Sequence, residues 1–263
     1  MKELGADIKR WTVIGGGDIS SAARADLADG TTVFVKSHDH PPAGMFAAEA
    51  DGLAWLAEGP LRVPRVLACG DNYLALEWLE LAGRPDEAEL GRGLATLHGL
   101  GAPSFGYARV NYLATLPQDN TSESSWPAFY VERRLRPLCR RAGLGIDHQL
   151  DGLLASIDRF GPPERPARLH GDLWWGNVHA CGGAPVIYDP AVYGGHREID
   201  LAMLALFGEL PDVLIDAYDE VWPLADGWRE RIGLHQLYPL AAHACLFGGG
   251  YAAEIRRVLA SLA

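Results

Sequence analysis

The sequence predicts an α+β protein in two lobes: a small, mainly antiparallel β lobe with one helix over residues 1–80, and a larger α-helical lobe over 81–263. Three observations point there. Strand-like runs crowd the first eighty residues, helical stripes take over from about residue 86, and one short strand pair sits inside the helical part. A chain of 263 residues is long enough for each lobe to bury a core.

In the first lobe "WTVIG", "SAARADL", "TTVFVKS" and "YLALEWLEL" are short, β-rich and bounded by Gly, Asp or Asn. One helix interrupts them: in "MFAAEADGLAWLAEG" Phe46, Leu53 and Leu56 recur at helical spacing, and Gly59-Pro60 stops the element. In the second lobe Leu90, Leu94 and Leu97 form one stripe, and Ile146, Leu150, Leu153, Leu154 and Ile157 another. The intervening "FGYARVNYLATLPQDNTSESSW" is polar and aperiodic, the pattern of an ordered functional loop. "NVHA" and "PVIYD" flank the turn "CGGA" as a hairpin, and the chain is helical again after residue 200.

Composition excludes several classes. Acidic residues outnumber basic ones 34 to 23, and a net charge of −11 repels a phosphate backbone, so no nucleic-acid partner is expected. The start "MKELGADIKRW" lacks a basic-then-apolar leader pattern, and no run approaches the roughly 18 apolar residues of a span, so the expectation is a cytoplasmic protein with no membrane partner. Cys69, Cys139, Cys181 and Cys245 are scattered without a C-x-x-C pair, which argues against a zinc site or a disulfide framework.

Chemistry concentrates in three stretches. "IGGGDISSA" lies between two strands, which excludes a Rossmann fingerprint and a Walker loop, since both need a helix N-terminus. A hairpin loop remains, in which Gly15, Gly16 and Gly17 lack Cβ atoms and let backbone amides approach phosphate oxygens. Lys36 ends the strand "TTVFVK" in a chain whose only other lysines are Lys2 and Lys9. Glu49 sits on the edge of the following helix's buried stripe, where a carboxylate needs a partner, so a Lys36–Glu49 ion pair that aims the ammonium at α- and β-phosphates is expected.

The third stretch is "HGDLWWGN", followed by "VIYDP". Phosphoryl transfer asks a protein to position an acceptor hydroxyl and to neutralise charge. Asp172 is placed to receive that hydroxyl, while Asn177 and Asp189 offer hard oxygens to magnesium. His170 reads as a packed, loop-orienting residue, and Asp200 as the N-cap of the helix "LAMLALFGE".

"LHGDLWWGNVHACGGAPVIYDPAVYGGHREIDLAMLALFG", with "VFVK", "MFAAEADGL", "FYVERRLRP" and "LYPLAAHACLFGGGY", closely resembles the fructosamine kinase (ketosamine 3-kinase) family, in the aminoglycoside phosphotransferase and choline kinase group. The resemblance covers nearly the whole chain. It implies a protein-kinase-like fold, ATP and Mg2+ in the cleft, hinge contacts from the backbone near Glu77 and Leu79, and phosphorylation of the sugar 3-hydroxyl of a fructosamine, ribulosamine or erythrulosamine. The acceptor is then a small glycated amine or a glycated protein lysine, and the product decomposes to free the amine. Asp172 carries over as the catalytic aspartate, Asn177 and Asp189 as metal ligands, and Lys36 with Glu49 as the phosphate-orienting pair.

The chain departs from wider kinase patterns at Asp189-Pro190-Ala191, where protein kinases have Asp-Phe-Gly, and it leaves no room for a long activation segment. Asp18 stands where some relatives carry a glycine-loop cysteine, and Trp175 where a small residue is usual. For the acceptor, Trp174, Tyr193, His196 and Glu198 flank the two aspartates, and aromatic faces with polar groups suit a sugar bearing an amine; Tyr130 and Asn111 are weaker candidates. Two other readings keep the scaffold and change the role: a kinase of another hydroxylated amine, and a nucleotide-binding pseudokinase scaffold.

Overall fold

The computed structural model describes residues 4–15 and 20–262. Five antiparallel strands form one sheet in the order β1 (Ile8–Ile14), β2 (Ser21–Leu27), β3 (Thr32–Ser37), β5 (Tyr73–Glu77), β4 (Val66–Gly70). The period of two along each strand decides what the sheet's faces carry. Val33 and Val35 of β3 and Ala75 of β5 pack on one face with Ala25 and Leu27. Phe34 and Lys36 therefore fall on the opposite face, opposite Leu76 and Leu74, which pack on helix α1 (Met45–Leu56) through Phe46, Leu53 and Leu56. Strand β4 lies in a stretch the sequence leaves as a break; Val66 and Leu67 at the sheet edge are both exposed, so no alternation advertises it.

The helical part begins at α2 (Glu87–Gly99), where the Asp86 carboxylate accepts the Glu89 amide at 2.8 Å and caps the first turn. Leu90, Leu94 and Leu97 are fully buried, as their stripe predicts, and face α7 (Asp212–Asp219). Gly91 permits that approach, since a Cβ there would lie 2.1 Å from the Leu214 carbonyl oxygen. The stripe on α5 (Asp147–Ala155) stops short of its predicted end: the chain leaves the helix at Ser156, Ile157 is 59% exposed, and Phe160 of the following 3-10 turn is buried instead.

The supposed loop 105–126 contains a hairpin, β6 (Asn111–Leu113) and β7 (Leu116–Gln118), turning at Ala114 with φ 56°. α3 (Trp126–Phe129) runs through a π-helical turn, Tyr130–Leu135, into α4 (Arg136–Arg141). β8 (Ala167–Leu169) pairs with β11 (Tyr193–Gly195), and between them stands the predicted hairpin, β9 (Val178–Cys181) with β10 (Ala184–Ile187). Helices α6 (Glu198–Leu204), α8 (Trp228–Phe247) and α9 (Tyr251–Ser261) complete the lobe. One core lies among the helices, and a second spans the junction, joining Leu74 and Leu76 of the sheet to Leu173, Val178 and Ile187 around the hairpin. Among the described residues no helix is long and apolar enough to cross a membrane.

Candidate active site

The segment between β8 and β9 is fixed from behind by Asp200. This carboxylate is fully buried in the first turn of α6 and accepts the His170 amide at 2.8 Å and the Gly171 amide at 2.9 Å. His98 Nε2 lies 3.1 Å from it and donates, so His98 Nδ1 accepts the Tyr218 hydroxyl at 2.8 Å. Asp200 is thus no N-cap, a position that Arg197 fills; the carboxylate turns across to the loop because two orphaned amides await it there. Burial opposes its charge, but His98, His170 and the Gly171 amide overcome that and hold it below the usual carboxylate range.

Gly171 has φ 81°, and a Cβ there would lie 2.2 Å from the Ala191 carbonyl oxygen, so only glycine fits. His170 is buried, donates from Nε2 to the Tyr188 carbonyl at 3.0 Å and accepts the Asp172 amide at Nδ1; burial holds the ring neutral. It orients the loop, as its position predicts. Asn177 donates its Nδ2 to the Asp172 carbonyl at 2.9 Å and to the Asp172 carboxylate at 3.3 Å. Burial, reinforced by Asp189, pushes the Asp172 carboxyl up to about 7.

Asp189 lies two residues beyond β10 with φ 56°, a left-handed conformation unusual for a non-glycine residue and common where function demands it. The twist brings its carboxylate to 3.1 Å from Lys36 Nζ, which also meets Glu49 at 2.9 Å. Burial works against the ammonium, but Asp189 and Glu49 outweigh it, and Lys36 is held above the usual lysine range. Lys36, Glu49, Asp172, Asn177 and Asp189 face one cavity of about 510 Å³, with Trp174 also on its wall. Asn177 spends its amide nitrogen on Asp172 and so keeps its carbonyl oxygen as an acceptor, and the Asp189 side chain is 35% exposed. That set of hard oxygens, with no sulfur or imidazole, fits magnesium.

Other expectations fall elsewhere. Gly15 ends the described part of the glycine segment and is not on the cavity wall; Gly16, Gly17 and Asp18 lie outside the described residues. Glu77 and Leu79 are also off the wall, and Glu77 binds the Arg65 amide and side chain at 3.1 Å. Trp175 is turned away: it donates to the Glu209 carbonyl at 3.0 Å, with Arg84 4.5 Å above its ring.

Tyr193, His196 and Glu198 require correction as acceptor contacts, because all three are buried away from the cavity. Tyr193 packs under the Arg134 guanidinium at 4.1 Å. Glu198 is held bidentately by Arg231 at 2.6 and 2.9 Å, and although burial opposes its charge, His235 and Arg231 hold it down to about 2. His196 stacks on His235 at 5.3 Å, and burial, with His235, pushes it down to about 3. Tyr130 is also in the core, donating to the Leu234 carbonyl at 2.7 Å. Of the weaker candidates only Asn111 reaches the cavity, fixed by its bond to the Val192 carbonyl at 2.6 Å. The residues that sequence reasoning missed are His98 and Tyr218 behind the loop, and a wall formed by Phe207, His243, Phe247 and Tyr251.

The buried His196 ring sets one expected pH effect. An unfolded histidine takes up a proton below pH about 6.5, and the folded chain refuses it until about 3, so stability is lost as pH falls through that window. Between pH 7 and pH 5 the loss from this group is expected to be about 2 kcal/mol in urea unfolding, and His196→Gln flattens it. Identical profiles for the two proteins contradict a neutral buried ring.

A family model described as fructosamine kinase matches residues 2–263. A curated relative from Thermus thermophilus, named a "probable ketoamine kinase", is 39% identical over 251 residues, covering 94% of this chain and 91% of its own. A solved structure described as a "putative fructosamine-3-kinase" from Thermobifida fusca superposes with a TM-score of 0.88 at 45% identity, covering 98% of this chain and 94% of that one. A macrolide 2'-phosphotransferase superposes at 0.63 over 98% of this chain and 93% of its own; at 17% identity it shows the protein-kinase-like, two-lobed fold alone. With the family pattern matched from one end to the other and a 45% identical fold beside it, the chain belongs to the fructosamine kinase family and is a phosphotransferase.

Proposed function

We propose that the chain transfers the γ-phosphoryl group of ATP to the 3-hydroxyl of a ketosamine. The observation that carries this is the shared cavity of Lys36, Asp172, Asn177 and Asp189. The lobe boundary falls near residue 80, between the end of β5 and the start of α2.

Each residue then has a defined task. Lys36, held in place by Glu49, offers its ammonium to the α- and β-phosphates. Asn177 and Asp189 hold magnesium, which when bound neutralises charge building on the β- and γ-phosphates. Asp172 accepts the hydrogen bond of the sugar hydroxyl and aims its oxygen at the γ-phosphorus. The new P–O bond forms as the bond to the β-phosphate oxygen breaks, ADP leaves, and the hydroxyl proton passes to Asp172. The phosphorylated ketosamine then decomposes and frees its amine, a deglycation step for a small amine or a protein lysine.

The same scaffold could serve an aminoglycoside, and ATP turnover with magnesium discriminates. ADP release is expected to rise at least about tenfold on adding ribulosyl-lysine, with no rise on adding an aminoglycoside. The opposite order contradicts the ketosamine reading, and nucleotide binding without turnover on any acceptor favours a scaffold.

A further inference from the structure

The cavity that holds Asp172 continues past Trp174 into a run of aromatic rings. Trp174 meets Phe207 edge-on at 6.3 Å, Phe207 meets His243 at 5.1 Å, and His243 meets Phe247 at 5.5 Å and Tyr251 at 5.1 Å. The rings come from the loop that holds Asp172, the segment after α6, and the turn from the end of α8 into α9, so three distant stretches of sequence meet on one wall. Trp174, Phe207 and Phe247 remain 41, 46 and 49% exposed, a concentration of open apolar surface that marks a binding face when it is continuous with a cavity.

Charge is divided along the same cavity. Lys36, Glu49, Asp172 and Asp189 all lie at one end, whereas the cavity residues from 203 onward include no carboxylate, lysine or arginine. The polar side chains there are the Tyr251 phenol and the imidazole of His243. His243 Nδ1 donates to the Pro239 carbonyl at 2.7 Å, which in the neutral ring leaves Nε2 as an acceptor.

We infer that this aromatic wall binds the amine-bearing end of the acceptor and selects adducts of free aromatic or apolar amines over lysine adducts on proteins. The inference rests on the ketosamine reading. With the 3-hydroxyl at Asp172, the amine on carbon 1 lies two carbons further along the sugar, beside Trp174, and its substituent extends over Phe207, Phe247 and Tyr251. His243 Nε2 accepts from the ammonium, and the ring faces favour its charge. A lysine adduct carries a flexible aliphatic chain that covers the rings less, and on a protein the polar peptide backbone follows that chain toward an apolar wall.

The test compares kcat/KM for three ribulosamines that share a sugar: the adducts of phenethylamine, of ethanolamine, and of lysine within a peptide. The phenethylamine adduct is expected to exceed the ethanolamine adduct by about tenfold or more, the scale of an apolar-pocket preference. Phe247→Ala and Tyr251→Ala are each expected to shrink that ratio severalfold. Because the readout is a ratio within one protein preparation, a general loss of folded enzyme does not mimic it, and the milder Phe247→Leu gives a graded check. Equal kcat/KM for the two small adducts, a ratio unmoved by both alanine variants, or preference for the glycated peptide overturns the inference while leaving the kinase reading intact. No turnover of any ribulosamine overturns both.

Discussion

Asp172→Asn is expected to lower acceptor-dependent turnover by about 10²- to 10⁴-fold, the range associated with a positioned proton acceptor, while leaving the fold in place. The amide keeps the size of the carboxylate but cannot take the hydroxyl proton. Folding is not the cause of the loss, and the sign of the linkage shows why. The native carboxyl titrates at about 7, above an unfolded aspartate, so the group favours the folded state in acid and counts against it as pH rises through about 7. An asparagine removes that penalty, and at pH 8 the variant is expected to melt no lower than the parent. Turnover within tenfold of the parent contradicts the role given to Asp172, and a collapse of melting temperature contradicts the separation of activity from stability.

Asp200→Ala is expected to act the other way round, with stability failing first. Its carboxylate is the shared acceptor for the His170 amide, the Gly171 amide and His98, all fully buried. Deleting it strands three donors without water, and breaking a buried network of this kind costs about 3–5 kcal/mol. Urea unfolding reads the loss directly. What folds is expected to have a loosened loop and a lowered kcat, because the amides that Asp200 holds lie within two residues of Asp172. A change below about 1 kcal/mol contradicts the view that Asp200 organises the loop.

These two aspartates also mark what a local sequence pattern can place and what it cannot. Asp172, Asn177 and Asp189 stand within one short stretch, and a strand pair with a glycine turn carries the last of them back to the first. Lys36 and Glu49 were legible for a related reason: a strand of alternating valines and a helix with a clear stripe fix which way each side chain points. Nothing local fixes the face of Asp200. It looks like a cap because a helix follows, yet that helix starts two residues earlier, and the partners of the carboxylate lie about thirty residues back and on α2.

The acceptor contacts expected from sequence fail for the same reason. Tyr193, His196 and Glu198 follow Asp189 closely, but β11 pairs with β8 and turns Tyr193 inward against Phe129 and Tyr238, while Arg231 from α8 draws Glu198 into the interior. Phe207, His243, Phe247 and Tyr251 reach the cavity only because α6, α8 and α9 pack together, a long-range arrangement without a motif. Nearness in sequence groups the residues proposed for catalysis; tertiary packing decides which side chains line the rest of the cavity.

The most direct test of the account is a crystal structure with magnesium, a non-hydrolysable ATP analogue and a ribulosamine bound together. The sugar 3-hydroxyl is expected within hydrogen-bond distance of the Asp172 carboxylate and facing the γ-phosphorus, with Asn177 and Asp189 on the metal and Lys36 on the α- and β-phosphates. A ribulosamine seated away from Asp172, or a nucleotide whose phosphates avoid Lys36 and Asp189, would contradict it.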